Sequence, residues 1–531
     1  MRGVATELGD LLIDGFLRTS IVHADRPALE VGGEVVTYAE LRRDADAIAA
    51  LLLDAELDGP PLCGVFAHRS RTAFGGILGA LIAGLGYVPL KRTFPPARTA
   101  VMLEASGCRA LVVDDESAQQ LPEVLTAVEH PLTIILPGAE DVEGLRRAFP
   151  LHRFAGRDAL DASRRPTPVP VDKDAIAYLL FTSGSTGTPK GVGVLHRNVR
   201  AFLDHVVALY DLQPDDRLAQ LFDLTFDLSV FDTFAAWERG ACVCCPANLT
   251  RPDRFVREAE LSVWFSVPSA AIFMQRLGML KPGRFPNLRL SLFCGEPLPA
   301  EIAAAWAEAA PNSIVENLYG PTELTIACTR YRWTPELAGE AHLDIVPIGR
   351  PFPGMEALVV DEALRPVADG DAGELVMRGP QMTPGYWRDP GKTAERYVVP
   401  TGTDARYYRT GDRVKRARPD GPLLYLGRVD HQVKVRGHRV ELGEIEAVVR
   451  EESGALGVVA VGWPRTAAGV AAIEVFLEGE EWPTNDILVR LGRRLPDFMR
   501  PRRIHVLDRL PLNANGKYDR RALVERLEAA A

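Results

Sequence analysis

A chain of 531 residues, 47% hydrophobic and 25% charged, can bury several sizeable cores; at roughly 150 residues per domain it holds about three to four folding units, or one large unit and a small one. That mix excludes a disordered or fibrous protein. The net charge of −10 argues against nucleic acid as the partner, because neutralising phosphates needs a basic face.

The first twenty residues carry Glu7, Asp10 and Asp14 within an apolar pattern. A signal peptide needs a basic start and an uninterrupted apolar core, so none is read here. Tyr38–Leu53 has the spacing of a helix. The longest uncharged stretch, Thr72–Leu90, is rich in glycine and ends in Tyr87-Val88-Pro89. It reads as a buried helix running into a strand, and no membrane span is expected. Leu111–Val113, Leu132–Leu136 and Tyr178–Phe181 read as buried strands and Ala300–Ala309 as a helix, an alternation that points to α/β layers. Pro166, Pro168 and Pro170 form a stiff connector. The seven cysteines make no disulfide framework. Cys242, Cys244 and Cys245 lack nearby histidines, so they read as reduced thiols in a buried strand rather than a zinc site. A reducing cytoplasm is the simplest compartment.

The character changes near Leu426-Gly427-Arg428. A basic strand-like stretch, Gln432–Gly437, precedes helical spacing over Glu441–Glu452. Strands Val458–Val461 and Ile473–Leu477 and a helix Thr484–Leu495 complete an α+β unit of about 100 residues. The expected division is residues 1–426, a hinge at 427–431 where a glycine beside charged residues absorbs rotation, and residues 432–531.

Strand Tyr178–Phe181 feeds the run Thr182-Ser183-Gly184-Ser185-Thr186-Gly187-Thr188-Pro189-Lys190-Gly191, and a helical pattern follows over Asn198–Leu209. Glycines let successive backbone N–H groups turn toward one point, and an anion is what such a nest binds. The hydroxyls of Thr182, Ser183, Ser185 and Thr186 add donors, and Lys190 adds positive charge. This is not the P-loop of kinases and GTPases, because Pro189 precedes the lysine and Gly191 follows it.

The run Tyr178–Val192 resembles the signature of the adenylate-forming superfamily, which includes acyl-CoA synthetases, firefly luciferases and the adenylation domains of nonribosomal peptide synthetases. Other segments resemble further signatures of that family in the same order: Asn317-Leu318-Tyr319-Gly320-Pro321-Thr322-Glu323, Gly373-Glu374-Leu375 with Gly385-Tyr386-Trp387, Tyr408-Arg409-Thr410-Gly411-Asp412, Gly427–Gly437 and Asn515-Gly516-Lys517. The resemblance implies a large N-terminal adenylation domain of several α/β subdomains and a small, mobile α+β C-terminal domain. It implies a carboxylate attacking the α-phosphorus of ATP with Mg²⁺ present, a meeting of anions that needs positive charge in the site. Thr182, Ser183, Gly184, Ser185, Thr186, Gly187 and Lys190 would hold the β- and γ-phosphates, and Glu323 would hold Mg²⁺. Asn317 and Tyr319 would contact adenine within the segment that also supplies Gly320 and Thr322. Asp412 would accept from the ribose hydroxyls, flanked by Tyr425 and Arg428. Lys517 would bridge the substrate carboxylate and the α-phosphate, Asp430 would be the hinge residue, and Gly437 would let a pantetheine arm pass where a side chain would block it.

The same resemblance reads the acid. Asp227, in Leu224–Ser229, matches the aspartate that pairs with the α-ammonium in amino-acid-activating members, a charge-assisted bond of roughly 1.5–3 kcal/mol. The matching pocket residues are Leu228, Phe231, Ser266, Leu292, Cys294, Leu318 and Ile326. None is charged and four are large, so a small neutral amino acid is expected, alanine first, then serine, glycine or cysteine. One methylene is worth only about 1–3 kcal/mol in such a pocket, so overlapping specificity is expected.

No Gly-Gly-x-Ser attachment site follows Lys517 before Ala531, and Tyr38 already looks like the start of the adenylation fold. A free-standing enzyme is therefore expected, serving a separate carrier protein through its phosphopantetheine thiol or through the amine of an aminoacyl-carrier, with an MbtH-like protein as a further candidate partner. The competing readings are an acyl- or aryl-CoA ligase, a D-alanine–carrier protein ligase, and an inactive paralogue that only binds. Lys190, Glu323, Asp412 and Lys517 are all present, against the last of these.

Overall fold

The computed structural model describes residues 9–184, 189–336, 344–416, 418–429, 432–466, 469–479, 481–512 and 518–530. Two large sheets dominate the first 350 residues. In the first, strands run Arg153–Ala155, Thr133–Ile135, Ala110–Val113, Leu62–Phe66, Gly86–Leu90, Ile176–Thr182 and Lys190–Leu195 from edge to edge, parallel except for the last. The second has a parallel centre of Ile314–Tyr319, Leu290–Phe293, Val263–Ser266, Arg217–Ala219, Cys242–Cys244 and Pro27–Val31. Its antiparallel margins are Glu34–Thr37 on one side, and Thr329–Trp333 followed by Arg350–Pro351 on the other.

One apolar core joins both sheets through the helices Tyr38–Asp54, Arg71–Ile82 and His196–Leu209. Tyr38–Asp54 starts at a capping box, in which Thr37 and Glu40 satisfy each other's backbone N–H groups. Arg71–Ile82 is the glycine-rich stretch of the sequence, and its glycines are a packing surface. A Cβ at Gly79 would lie 2.9 Å from the Ile48 side chain and 3.0 Å from the Ala45 carbonyl oxygen of the neighbouring helix. Among the described residues no helix is long and apolar enough to cross a membrane.

A third, antiparallel sheet follows: Glu356–Val360, Ala372–Arg378 and Tyr407–Arg416, with Tyr397–Val398 and Leu423–Arg428 also paired to Tyr407–Arg416. Beyond it the hairpin Gln432–Val435/His438–Glu441 and the strands Val458–Gly462, Ile473–Glu478 and Arg503–Leu507 pack with helices Leu442–Ser453 and Thr484–Leu491 around cores of their own.

Two expected elements change. The loop after Ile176–Thr182 does not lead directly to a helix, because Lys190–Leu195 pairs back on that strand, with Thr182 opposite Lys190. The expected helix Thr484–Leu495 ends at Leu491; Gly492 follows, and Pro496 bars continuation beyond Leu495. Cys242–Cys244 is a strand with all three side chains buried.

Candidate functional site

The hairpin Gln432–Glu441 closes over the ends of the sheets, and a cavity of about 110 Å³ lies beneath it. Of the residues expected in the site, its wall contains Thr182, Ser183, Asp227, Leu228, Cys294, Tyr319, Gly320, Thr322, Asp412, Arg428 and Gly437. The C-terminal hairpin adds Lys434, His438 and Arg439. Ser185, Thr186, Gly187, Asp430 and Lys517 lie outside the described residues.

The described part of the glycine-rich loop already holds oxyanions. Gly184 N–H donates to Glu444 Oε2 at 3.0 Å, and Arg98 steadies that carboxylate at 2.6 Å. Ser183 Oγ donates to the Arg439 carbonyl at 2.7 Å and accepts from Glu441 N–H at 3.2 Å. Lys190 Nζ lies 3.6 Å from Glu441 and 5.1 Å from the centre of the Tyr386 ring. Burial lowers the Lys190 ammonium to about 8; Arg439 adds to the fall, while Glu323 and Glu441 oppose it. The carboxylates of Glu441 and Glu444 stand where a nucleotide's phosphate oxygens could bind, and the buried Thr182 Oγ1 has no hydrogen-bond partner among the described residues. The donor set therefore fits phosphate.

Glu323 sits in a single turn, Thr322–Leu324, at the end of strand Ile314–Tyr319. It is fully buried, with Arg439 Nη1 at 3.1 Å from Oε2 and the Tyr386 hydroxyl donating to Oε1 at 2.7 Å. Burial pushes this carboxyl up, but Arg439 and Lys190 outweigh it and hold it at about 2. An ionised carboxylate that already carries a cationic group fits a hard divalent cation such as Mg²⁺, which would neutralise phosphate charge there.

The residues expected on the nucleotide side form a second cluster. Asp412 accepts from the Tyr319 hydroxyl at 2.5 Å and from Arg428 Nη1 at 2.9 Å. Asp412 and Arg428 are register partners on adjacent strands, and Tyr425 lies on the same strand as Arg428. A Cβ at Gly320 would come within 2.6 Å of the Ala327 Cα, so this wall position requires glycine. Asn317 is turned into the protein. Its amide donates to the Val346 and Pro347 carbonyls at 3.2 and 2.9 Å, while its Oδ1 is buried without a partner among the described residues.

Asp227 immediately precedes the short helix Leu228–Val230, which runs into a π-helical turn, Phe231–Ala235. Such turns recur at functional sites. Asp227 is 7% exposed, and its Oδ2 has no hydrogen-bond partner among the described residues. Burial raises its carboxyl to about 7, against the pull of the Thr322 side chain and the Ile326 backbone. Leu228 and Cys294 share the cavity wall with it. Phe231, Ser266, Leu292, Leu318 and Ile326 are buried but do not line the cavity in this arrangement. The Ser266 hydroxyl is engaged by Trp264 Nε1 at 2.9 Å, and Phe231 packs edge-on against Phe265.

Sequence reading passed over Lys434, His438, Arg439, Glu441, Glu444, Phe498 and Arg98. His438 stacks on Phe498 at 3.9 Å and meets Phe226 edge-on at 5.3 Å. Burial lowers the Lys434 ammonium. The available signal was the alternation Gln432-Val433-Lys434-Val435-Arg436, which marks a strand but not what its charged face meets.

The family model described as AMP-binding enzyme matches residues 17–387. The chain belongs to this family of AMP-binding enzymes. It is 36% identical over 519 residues to the L-proline--[L-prolyl-carrier protein] ligase of Streptomyces coelicolor, covering 95% of this chain and 94% of that one. It is 35% identical over 499 residues to the AMB antimetabolite synthetase AmbB of Pseudomonas aeruginosa, covering 94% of this chain but only 37% of AmbB, so it spans well under half of that relative. The solved adenylation domain AlmE of Vibrio cholerae, in complex with glycyl-adenosine-5'-phosphate, superposes with a TM-score of 0.87 at 30% identity, covering 99% of this chain and all of that one.

Proposed function

We propose that this chain activates a small neutral amino acid with ATP as its aminoacyl-adenylate and passes the aminoacyl group to a separate carrier protein. The observation that carries the reading is Asp227: a buried carboxylate with one oxygen that has no hydrogen-bond partner among the described residues, at a wall shared with Leu228 and Cys294. An isolated buried charge is costly, and an incoming α-ammonium is the group that satisfies it. A fatty or aryl acid would leave it unsatisfied. The apolar wall beside Asp227 favours alanine, with serine, glycine and cysteine as neighbours in size. Glycyl-AMP in AlmE and the prolyl-carrier ligase support an amino acid and a carrier acceptor.

In this reading the 182–190 loop and Glu323 with Mg²⁺ hold the triphosphate, Asp412 and Arg428 hold the ribose, and Lys517 bridges the reacting groups. Residues 1–426 and 432–531 act as two domains about a hinge at 427–431 with Asp430 at its centre. The reaction is placed in the cytoplasm. The test is amino-acid-dependent pyrophosphate exchange over a panel of amino acids and simple acids. Exchange with alanine and its small neighbours is expected, and exchange with fatty or aryl acids alone would overturn the reading.

A further inference from the structure

Glutamate and arginine side chains are almost never fully buried unless they are paired. Glu444, in the first turn of helix Leu442–Ser453, has a side chain that is 0% exposed, and Arg98, in the first turn of helix Pro96–Ser106, has one that is 9% exposed. Their ion pair, 2.6 Å from Arg98 Nη1 to Glu444 Oε1, joins residues 346 apart in sequence. It uses one carboxylate oxygen. The other, Oε2, accepts from Gly184 N–H at 3.0 Å, and Gly184 is the first glycine of the run Thr182–Gly191. The residue beside it is held from the same side: Ser183 Oγ bonds the Arg439 carbonyl and the Glu441 N–H. At the other end of the run, Lys190 Nζ has Glu441 Oε1 at 3.6 Å.

A carboxylate oxygen and a phosphate oxygen are equivalent acceptors for a backbone N–H, and Gly184 has one hydrogen to give. A phosphate that takes it displaces Glu444, and Glu444 cannot stay in place as a buried anion stripped of that donor without cost. The docked hairpin Gln432–Glu441 is also what brings Gly437 to the cavity wall, where a pantetheine thiol would arrive. We infer that Glu444 is a positioning residue for the transfer half-reaction: held by Arg98, its carboxylate takes the Gly184 N–H in place of a phosphate oxygen, docking the hairpin on a loop free of polyphosphate and yielding when ATP binds. In that half-reaction the thiol sulfur bonds to the aminoacyl carbonyl carbon, the bond from that carbon to the AMP phosphate oxygen breaks, and the thiol proton passes to water. The inference rests on the reading of the 182–190 loop as the triphosphate site. Glu444 itself does not line the cavity.

The test measures two quantities on the full chain: the Kd of α,β-methylene-ATP with Mg²⁺, by calorimetry without turnover, and the rate of aminoacyl transfer from added alanyl-adenylate to free pantetheine. Glu444→Met keeps the length and removes both acceptors. Expected is a Kd for the analogue lowered about threefold or more and a transfer rate lowered about tenfold or more, because the variant loses the competition and the docking together. Arg98→Met should move both in the same directions. The Kd of AMP, which has no β- or γ-phosphate, should stay within about twofold; if it moved with that of the analogue, the competition would lie elsewhere and the inference would fall. Arg98→Glu combined with Glu444→Arg restores an ion pair but offers Gly184 no acceptor, so neither quantity should recover. Recovery of both would reduce Glu444 to an ordinary ion-pair partner. A role confined to stability would lower Tm and the active fraction and leave the Kd and the transfer rate in place, which also overturns the inference. Lys190→Met, measured alongside, separates this inference from the reading beneath it. If it does not weaken the analogue, the loop is not the triphosphate site. If it does, while Glu444→Met leaves analogue and transfer unchanged, the loop stands and the positioning role fails.

Discussion

The Arg439 guanidinium lies 3.1 Å from Oε2 of Glu323, the carboxylate proposed to hold a divalent cation. Arg439 comes from the C-terminal hairpin and Glu323 from the turn after strand Ile314–Tyr319, so under the proposed Mg²⁺ role the hairpin contact and the cation would compete for one carboxylate. Removing the arginine removes the competitor. Arg439→Ala should lower the Mg²⁺ concentration needed for half-maximal pyrophosphate exchange, read from a Mg²⁺ titration at saturating ATP. An unchanged titration midpoint would show that the two contacts do not exclude each other.

Asp227→Asn should raise the amino acid KM by about 10- to 100-fold, the equivalent of one charge-assisted bond, with the KM for ATP little changed. The variant should also change stability with pH. The folded Asp227 carboxyl lies near 7, above its ordinary 3.8, so keeping it ionised in place costs nothing below about pH 4, costs progressively more up to about pH 7, and is constant beyond. The asparagine escapes that cost. Its Tm should exceed that of wild type at pH 8 and converge with it near pH 4. In the wild type the amino acid KM should fall as pH rises from 6 to 8, because the ionised carboxylate is the binding form.

Gly437, in the cavity wall, has φ +81°, and a Cβ there would lie 2.6 Å from Val267 Cγ1. Gly437→Leu should leave amino-acid-dependent pyrophosphate exchange within a few-fold of wild type. It should strongly reduce transfer to a phosphopantetheine thiol, read by loading of a carrier protein. Equal loss of both half-reactions would place Gly437 in the fold rather than in a passage.

Lys517→Ala should remove pyrophosphate exchange and leave transfer from preformed aminoacyl-adenylate largely intact. Exchange at the wild-type rate would reassign the bridging role to another cation, with Lys434 a candidate in the cavity wall.

Local pattern carried much of the fold. Ala300–Ala309 forms a helix over the expected residues, and Tyr38–Leu53 extends by one residue, because capping and 3.6-residue periodicity are local properties. Lys190–Leu195 escaped notice because Lys-Gly-Val-Gly-Val-Leu reads as the tail of a glycine-rich loop; pairing with Ile176–Thr182 makes it a strand. Arg439 and Glu444 were illegible for a related reason. Alone they are ordinary surface charges, and only docking against Glu323, Gly184 and Arg98 buries them.

By itself the sequence determined a glycine-rich run ending in Lys190 that reads as an anion nest, and its resemblance to the adenylate-forming family singled out Glu323 and Asp227. A nest of N–H groups is a local object, and a family signature is a short run of residue types, so both are legible without the fold. Which groups share one cavity was decided only by the tertiary structure. The meetings of Glu323 with Arg439 and of Gly184 with Glu444 depend on contacts between elements more than 100 residues apart. Such contacts follow from how sheets and helices bury their apolar faces together, and no local pattern encodes them.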